Sequence, residues 1–253
     1  MSLLRPGLHV VRRDDRHLQI GLDPPWRLVV PDEPGVRRVL ADLEGDRTPE
    51  PATPAAHRVL RDLREAGMLR AEAPQQATGR VHVAGPDAMA AEARRLLGTA
   101  GGVVTPRVGS ADVALVLSAG EVPRAALDQH LRSGLPHLVV AGGAGGFRVG
   151  PFVVPGATAC LRCTDAHLGE HDPRRAVVVE QLAGRPADPD DPVLTAVATA
   201  WAVRDVVRYL AGELPTSWSA TVDLGADDGA VRREWARHPY CGCSWAQWPA
   251  IAP

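Results

Sequence analysis

Four cysteines are the residues here whose spacing most directly implies chemistry. Cys160 and Cys163 form a C-x-x-C in "ACLRCTDAH", and Cys241 and Cys243 form a C-x-C in "YCGCSW". The chain has no other cysteine. Both pairs read as turn-like. Two thiolates on one short turn reach a single ion, and two such turns complete a tetrahedral four-cysteine set, the usual closed zinc site. A closed site leaves no position for water, so the expected Zn2+ is structural. Three alternatives stand beside zinc: two disulfides, which an oxidising compartment would favour; a redox C-x-x-C at the start of a helix; and unrelated buried cysteines. His167, Asp165 and His238 lie close to the pairs and read as supporting groups, since four sulfurs already fill the coordination sphere.

Other chemistry is excluded by composition. The chain contains neither lysine nor asparagine, so a phosphate-loop lysine, a Schiff-base lysine and a lysine general base are all absent. The net charge of −2 gives no pull toward nucleic acid or membrane. No stretch approaches the roughly 20 apolar residues of a membrane span, and the N-terminal "MSLLRPGLHVVRRDD" carries no signal-type apolar run. A cytoplasmic location is the default expectation.

The elements that must position these groups fall in two parts. Over residues 1–70, "LHVVR" (8–12), "HLQIGL" (17–22) and "WRLVV" (26–30) read as short strands separated by the turn signals "DDR" and "DPP". A helix follows from about Pro34 to Leu43, with Val36, Val39, Leu40 and Leu43 on one stripe. A second helix starts at Thr53 and Pro54, carries Ala56, Val59, Leu60, Leu63 and Ala66 on its apolar face, and stops at Gly67. This is a small winged-helix pattern. Residues 71–79, "AEAPQQATG", read as a linker.

From residue 80 to 253 the pattern becomes α/β. "RVHVAG" (80–85), "GVVTP", "ADVALVLS" (111–118) and "PHLVVAG" (136–142) are strands separated by helical stretches, which argues for a parallel sheet. "GGFRVGPFVVPG" reads as a hairpin leading into the first cysteine pair. A long apolar helix spans 190–214, and "SWSATVDLG" and "AVRREWARH" close as antiparallel strands. Residues 169–190 give no assignable pattern. Trp201 reads as core, and Trp245 and Trp248 as cover for the cysteine knot.

A strand followed by a helix invites a nucleotide reading, but "VAGPDAMAAEA" has one glycine, then a proline and an aspartate. G-x-G-x-x-G is absent, and Asp87 would repel a phosphate; it reads as a helix N-terminal acid. "AGGAGGF" (141–147) enters a hairpin rather than a helix. No ATP site is expected.

The segment "SGLPHLVVAGGAGGFRVGPFVVPGATACLRC", the long helix, the two closing strands and the terminal "HPYCGCSW" together resemble ThiF/MoeB-type adenylating proteins of the ubiquitin-activating-enzyme-like superfamily. The whole chain resembles more closely the ThiF-like partner proteins of YcaO cyclodehydratases, which make thiazoles and oxazoles in ribosomally synthesised peptides. The resemblance implies a PqqD-like winged-helix peptide-recognition element ahead of a degenerate ThiF-like, Rossmann-type domain with a four-cysteine zinc site. It implies a non-catalytic scaffold that binds the leader of a precursor peptide and presents it to a separate YcaO-type cyclodehydratase. The related folds commonly pair as homodimers. An exposed sheet edge accepts a peptide as an added strand. The "WRLVV" strand, through Leu28 and Val30, and the 54–66 helix, through His57, Arg61 and Arg64, are the expected walls of that groove. Two other readings remain: an ATP-dependent adenylating enzyme acting on a peptide or carrier-protein carboxylate, and a zinc-stabilised interaction protein of another pathway.

Overall fold

The structure, a computed structural model, describes residues 2–45, 47–71, 79–187, 191–225 and 229–243. Residues 72–78 of the expected linker, and Trp245 and Trp248, lie outside the described residues. The chain divides into two units, Met1–Gln75 and Gln76–Pro253.

The first unit runs β1 (Ser2–Leu4), β2 (Val10–Arg12), β3 (His17–Ile20), β4 (Leu28–Pro31), α1 (Pro34–Glu44), α2 (Pro54–Glu65) and β5 (Leu69–Ala71). Strands β2, β3 and β4 form an antiparallel sheet in that order, and β1 pairs with β5. Alternation along the sheet sends Leu18, Ile20, Leu28 and Val30 to one face, where they join Val36, Val39, Leu40 and Leu43 of α1 and Ala56, Val59, Leu60 and Leu63 of α2. The two helical stripes meet in this one core because their apolar residues recur every three or four positions. Thr53 caps α2 by accepting the Ala56 N–H at 3.2 Å, a contact of about 1 kcal/mol. The strand expected over 17–22 ends two residues early at Gly21, whose φ is 71°. A Cβ there would stand 1.9 Å from the Trp26 carbonyl oxygen, so only glycine closes this turn.

The second unit runs β6 (Arg80–Ala84), α3 (Asp87–Thr99), β7 (Val103–Val104), β8 (Val113–Ser118), α4 (Arg124–Ser133), β9 (His137–Gly143), β10 (Gly146–Val153), α5 (Leu161–Gly169), α6 (Arg175–Leu182), α7 (Pro192–Leu210), β11 (Ala220–Gly225) and β12 (Gly229–Glu234). Its seven strands lie in the order β12-β11-β10-β9-β8-β6-β7. The β7-β6-β8-β9 half is parallel, and β9 through β12 are antiparallel. Leu138 and Val140 face the core built with α3 and α7, while Val139 and Ala141 pack with Leu127 of α4 and Leu161 of α5. The central strands are thus apolar on both sides, which is why they read as unbroken hydrophobic runs. Asp191 caps α7 by accepting the N–H groups of Val193 and Leu194, both at 2.9 Å. Further along α7, the fully buried Asp205 accepts the backbone N–H and the hydroxyl of both Thr216 and Ser217. One carboxylate therefore ties the approach to β11 onto this helix.

The stretch with no sequence assignment contains α6. Its "RAVVVEQL" places three valines in a row, so no 3.6-residue stripe forms: Val177 and Val178 are exposed and Val179 is buried. Among the described residues, no helix is long and apolar enough to cross a membrane.

Candidate functional site

The four cysteines converge. Cys160 is the N-cap of α5 and Cys163 lies in its first turn, so the first pair opens a helix and is not on a free turn as its local sequence suggested. The second pair comes from the segment after β12. The sulfur separations are 3.7 Å for Cys160–Cys163, 3.6 Å for Cys160–Cys241 and 3.4 Å for Cys163–Cys243. A disulfide would put two sulfurs about 2.05 Å apart. A tetrahedral ion with metal–sulfur bonds near 2.3 Å would space its ligands by roughly 3.8 Å. The observed spacing is that of ligands around an ion, and all four sulfurs lie within 4.8 Å of one another.

Electrostatics agree. Hydrogen bonding to Cys163 and Cys243, with burial, pushes the Cys160 thiol up. Burial pushes Cys241 up to about 12. Cys163 moves down, because the Cys160 thiol and Cys243 hydrogen-bond to its sulfur and favour the thiolate. Burial and the neighbouring sulfurs thus resist ionisation of Cys160 and Cys241. A cation is what lets all four ionise together.

Two groups brace this knot. The Tyr240 N–H donates to His238 Nδ1 (3.3 Å), which leaves the proton on Nε2 to donate to Glu170, which caps the C-terminal end of α5 (3.1 Å). The Cys241 N–H donates to the His238 carbonyl (3.0 Å). His167 Nε2 donates to the Ala236 carbonyl (3.0 Å). His167, Glu170 and His238 are close enough to form a second metal group, but both nitrogens of His238 are already committed. They hold α5 against residues 236–241, as supporting groups do around a metal site. Asp165, the third residue singled out near the cysteines, instead receives Arg124.

The expected peptide groove divides differently. Val30 is 3% exposed and belongs to the core. Its side chain offers nothing to a peptide, because its alternation sends it inward, and Leu28 is half-buried on the same face. The outward residue is Val29, 41% exposed. Backbone parity strengthens the point. Asp32 N–H donates to the Arg16 carbonyl at 2.8 Å, so with the register Leu18↔Val30 and Ile20↔Leu28 the backbone groups of Leu28 and Val30 point at β3. Those of Val29 point away from the sheet. Pro31 has a carbonyl there and no N–H. On the opposite edge the outward N–H of Val10 is closed by the Glu44 carboxylate at 2.9 Å, whereas among the described residues nothing bonds the backbone of Val29. The outward N–H is thus closed at Val10 and open at Val29. His57, Arg61 and Arg64 are all exposed on α2, the helix that packs against β4. Arg61 makes loose ion pairs with Asp62 (3.5 Å) and Glu65 (3.9 Å); Arg64 makes none among the described residues.

The single glycine of the first βα turn has a packing role. A Cβ on Gly85 would stand 2.4 Å from the Leu117 carbonyl oxygen, so the residue lets β6 approach β8. Glycine-lined approach to a phosphate would need further glycines that this turn lacks.

These features define a two-unit protein: a small sheet-and-helix unit with one open edge, and a mixed α/β unit closed by a four-cysteine knot. The same fold occurs in a heterocyclase solved in complex with substrate and cofactor (TM-score 0.72, 17% identity, 96% of this chain and 39% of that one). It occurs in the heterocyclase TruD (TM-score 0.73, 20% identity, 96% and 42%) and in E. coli MccB with selenomethionine MccA (TM-score 0.65, 13% identity, 96% and 99%). The chain thus spans about two-fifths of the length of those heterocyclases and nearly all of MccB. No protein-family model matches the sequence, and no curated protein matches it.

Proposed function

We propose that this protein captures the leader of a ribosomally made precursor peptide on the open edge of β4 and presents the rest to a separate YcaO-type cyclodehydratase. The observation that carries the reading is the free backbone at Val29 on the edge of β4, with exposed cationic side chains on α2, the helix that packs against that strand. A peptide strand adding there gains main-chain hydrogen bonds from Val29, and acidic leader side chains meet His57, Arg61 and Arg64. The first unit is, on this reading, a winged-helix recognition element. The fold shared with heterocyclases and with MccB, the latter solved with MccA, supports it. Pro31 limits the added strand, because pairing must end where the edge loses its N–H.

The four cysteines fit a structural zinc ion. Cys160, Cys163, Cys241 and Cys243 would hold it, and it would supply a cross-link between α5 and the end of the described chain, with no open position for chemistry. The first unit contains no cysteine, so leader capture does not draw on the metal. No ATP turnover is assigned to this chain; heterocycle formation on cysteine, serine or threonine belongs to the partner enzyme.

Titration of the full chain with a fluorescent acidic leader peptide tests the reading. Val29→Pro removes the outward N–H without entering the core and should abolish binding, while Val29→Thr should retain it. Retained affinity in a folded Val29→Pro variant would rule the edge out.

A further inference from the structure

We propose that a cavity in the second unit holds the peptide segment that follows the leader, gripping it by its uncharged backbone amides. The inference rests on the leader-capture reading and assigns the second unit a contact of its own with the same substrate.

The cavity measures about 510 Å³, within the range of about 300–1,000 Å³ that suits small ligands. It accommodates a short stretch of chain. It lies at the carboxyl end of β9, where the parallel half of the sheet turns antiparallel through the β9–β10 hairpin.

The charged groups of its wall come in balanced pairs. Arg124, 4% exposed, grips Asp165 through two hydrogen bonds (2.5 and 3.0 Å) and Glu121 through a third (2.6 Å). Arg148 bonds Asp223 at 2.6 Å. Arg175 lies 3.4 Å from Asp165. Three cations thus face three carboxylates, so a polyphosphate would meet as much repulsion as attraction. A neutral polar ligand meets no such conflict.

Hydrogen-bonding capacity remains on both signs. Among the described residues the Arg175 side chain makes no hydrogen bond, so its guanidinium retains donors, while Glu121 commits Oε1 to Arg124 and keeps Oε2 as an acceptor. Donors on one wall and an acceptor on another match the C=O and N–H of a peptide unit. The rim includes Gly143 and Gly145, where an added Cβ would meet nothing within 4 Å. A second backbone can therefore approach without a side chain between.

The test uses the full chain and three labelled peptides: leader alone, leader plus the following segment, and the following segment alone. Gly143→Phe fills the mouth of the cavity, and Arg175→Gln removes the donor fork while Asp165 keeps Arg124. In the wild type the longer peptide should bind about tenfold tighter than the leader, an increment of about 1.4 kcal/mol. Both variants should lose the increment and bind leader alone unchanged. Equal affinities of the two peptides for the wild type, or an increment that survives in both folded variants, would overturn the proposal. Displacement of the bound segment by ATP would also overturn it, by making the cavity a nucleotide site. If leader alone fails to bind while the following segment binds and is lost in the variants, the cavity assignment stands and the leader-capture reading falls.

Discussion

Removing the metal from the cysteine knot should destabilise one unit and spare the other. Cys163 and Cys241 are separated by roughly 78 residues, and a cross-link closing a loop of that length is worth about 4.5 kcal/mol in the loop-entropy treatment. For a unit of this size each kcal/mol moves Tm by about 2–4 °C. Stripping zinc with a chelator should therefore lower the melting of the second unit by about 9–18 °C, and Cys160→Ser should produce a similar loss that added zinc does not restore. All four cysteines lie in the second unit, so the first unit is an internal control. Trp26 is its one tryptophan and reports its melting by fluorescence in a variant whose other tryptophans are replaced by phenylalanine. Calorimetry with and without chelator, beside metal analysis, supplies the readout. A second-unit Tm that moves by less than about 2 °C on chelation, or a protein without stoichiometric metal, would refute the reasoning, because the sulfurs would then be held by packing alone.

Asp205 satisfies two N–H groups and two hydroxyls in a fully buried position, so Asp205→Ala should cost about 3–4 kcal/mol by urea denaturation. Burial lowers the His137 imidazole to about 4, whereas the unfolded chain takes up the proton near 6.5. Its contribution to stability is thus complete above about pH 6.5 and is lost as pH falls from there toward 4, by up to roughly 3 kcal/mol. His137→Asn keeps a donor for the Leu135 carbonyl that Nδ1 now bonds at 3.0 Å and should flatten the urea midpoint across that window. Reversing Arg61 and Arg64 to glutamate should weaken leader binding several-fold at low salt and much less at high salt; equal affinities at low salt would remove the basic wall from the account.

Much of this architecture was legible because its signals are local. Thr53 and Pro54 start α2, Gly67 ends it, and the double-sided burial of β8 and β9 shows as continuous apolar runs. The cysteine spacing alone pointed to the knot. What escaped depends on partners distant in sequence. β1 and β5 are three residues each and exist only through pairing with one another. The valine run of α6 conceals its helical period. The inward turn of Val30 and the outward turn of Val29 follow from the register with β3, and alternation in a short strand does not say which face the core takes. The clamp of Arg124 on Asp165 joins residues 41 positions apart. Only the Glu121–Arg124 spacing, three apart at the start of α4, could have hinted at that network.

The most direct test of the central claim is reconstitution of a leader-bearing precursor peptide with a YcaO-type cyclodehydratase and ATP, with and without this protein, followed by mass spectrometry for the loss of one water per ring. Efficient ring formation should require this chain and should fail with the Val29→Pro variant. Equal ring formation in its absence, or ATP turnover by this chain alone, would contradict the account.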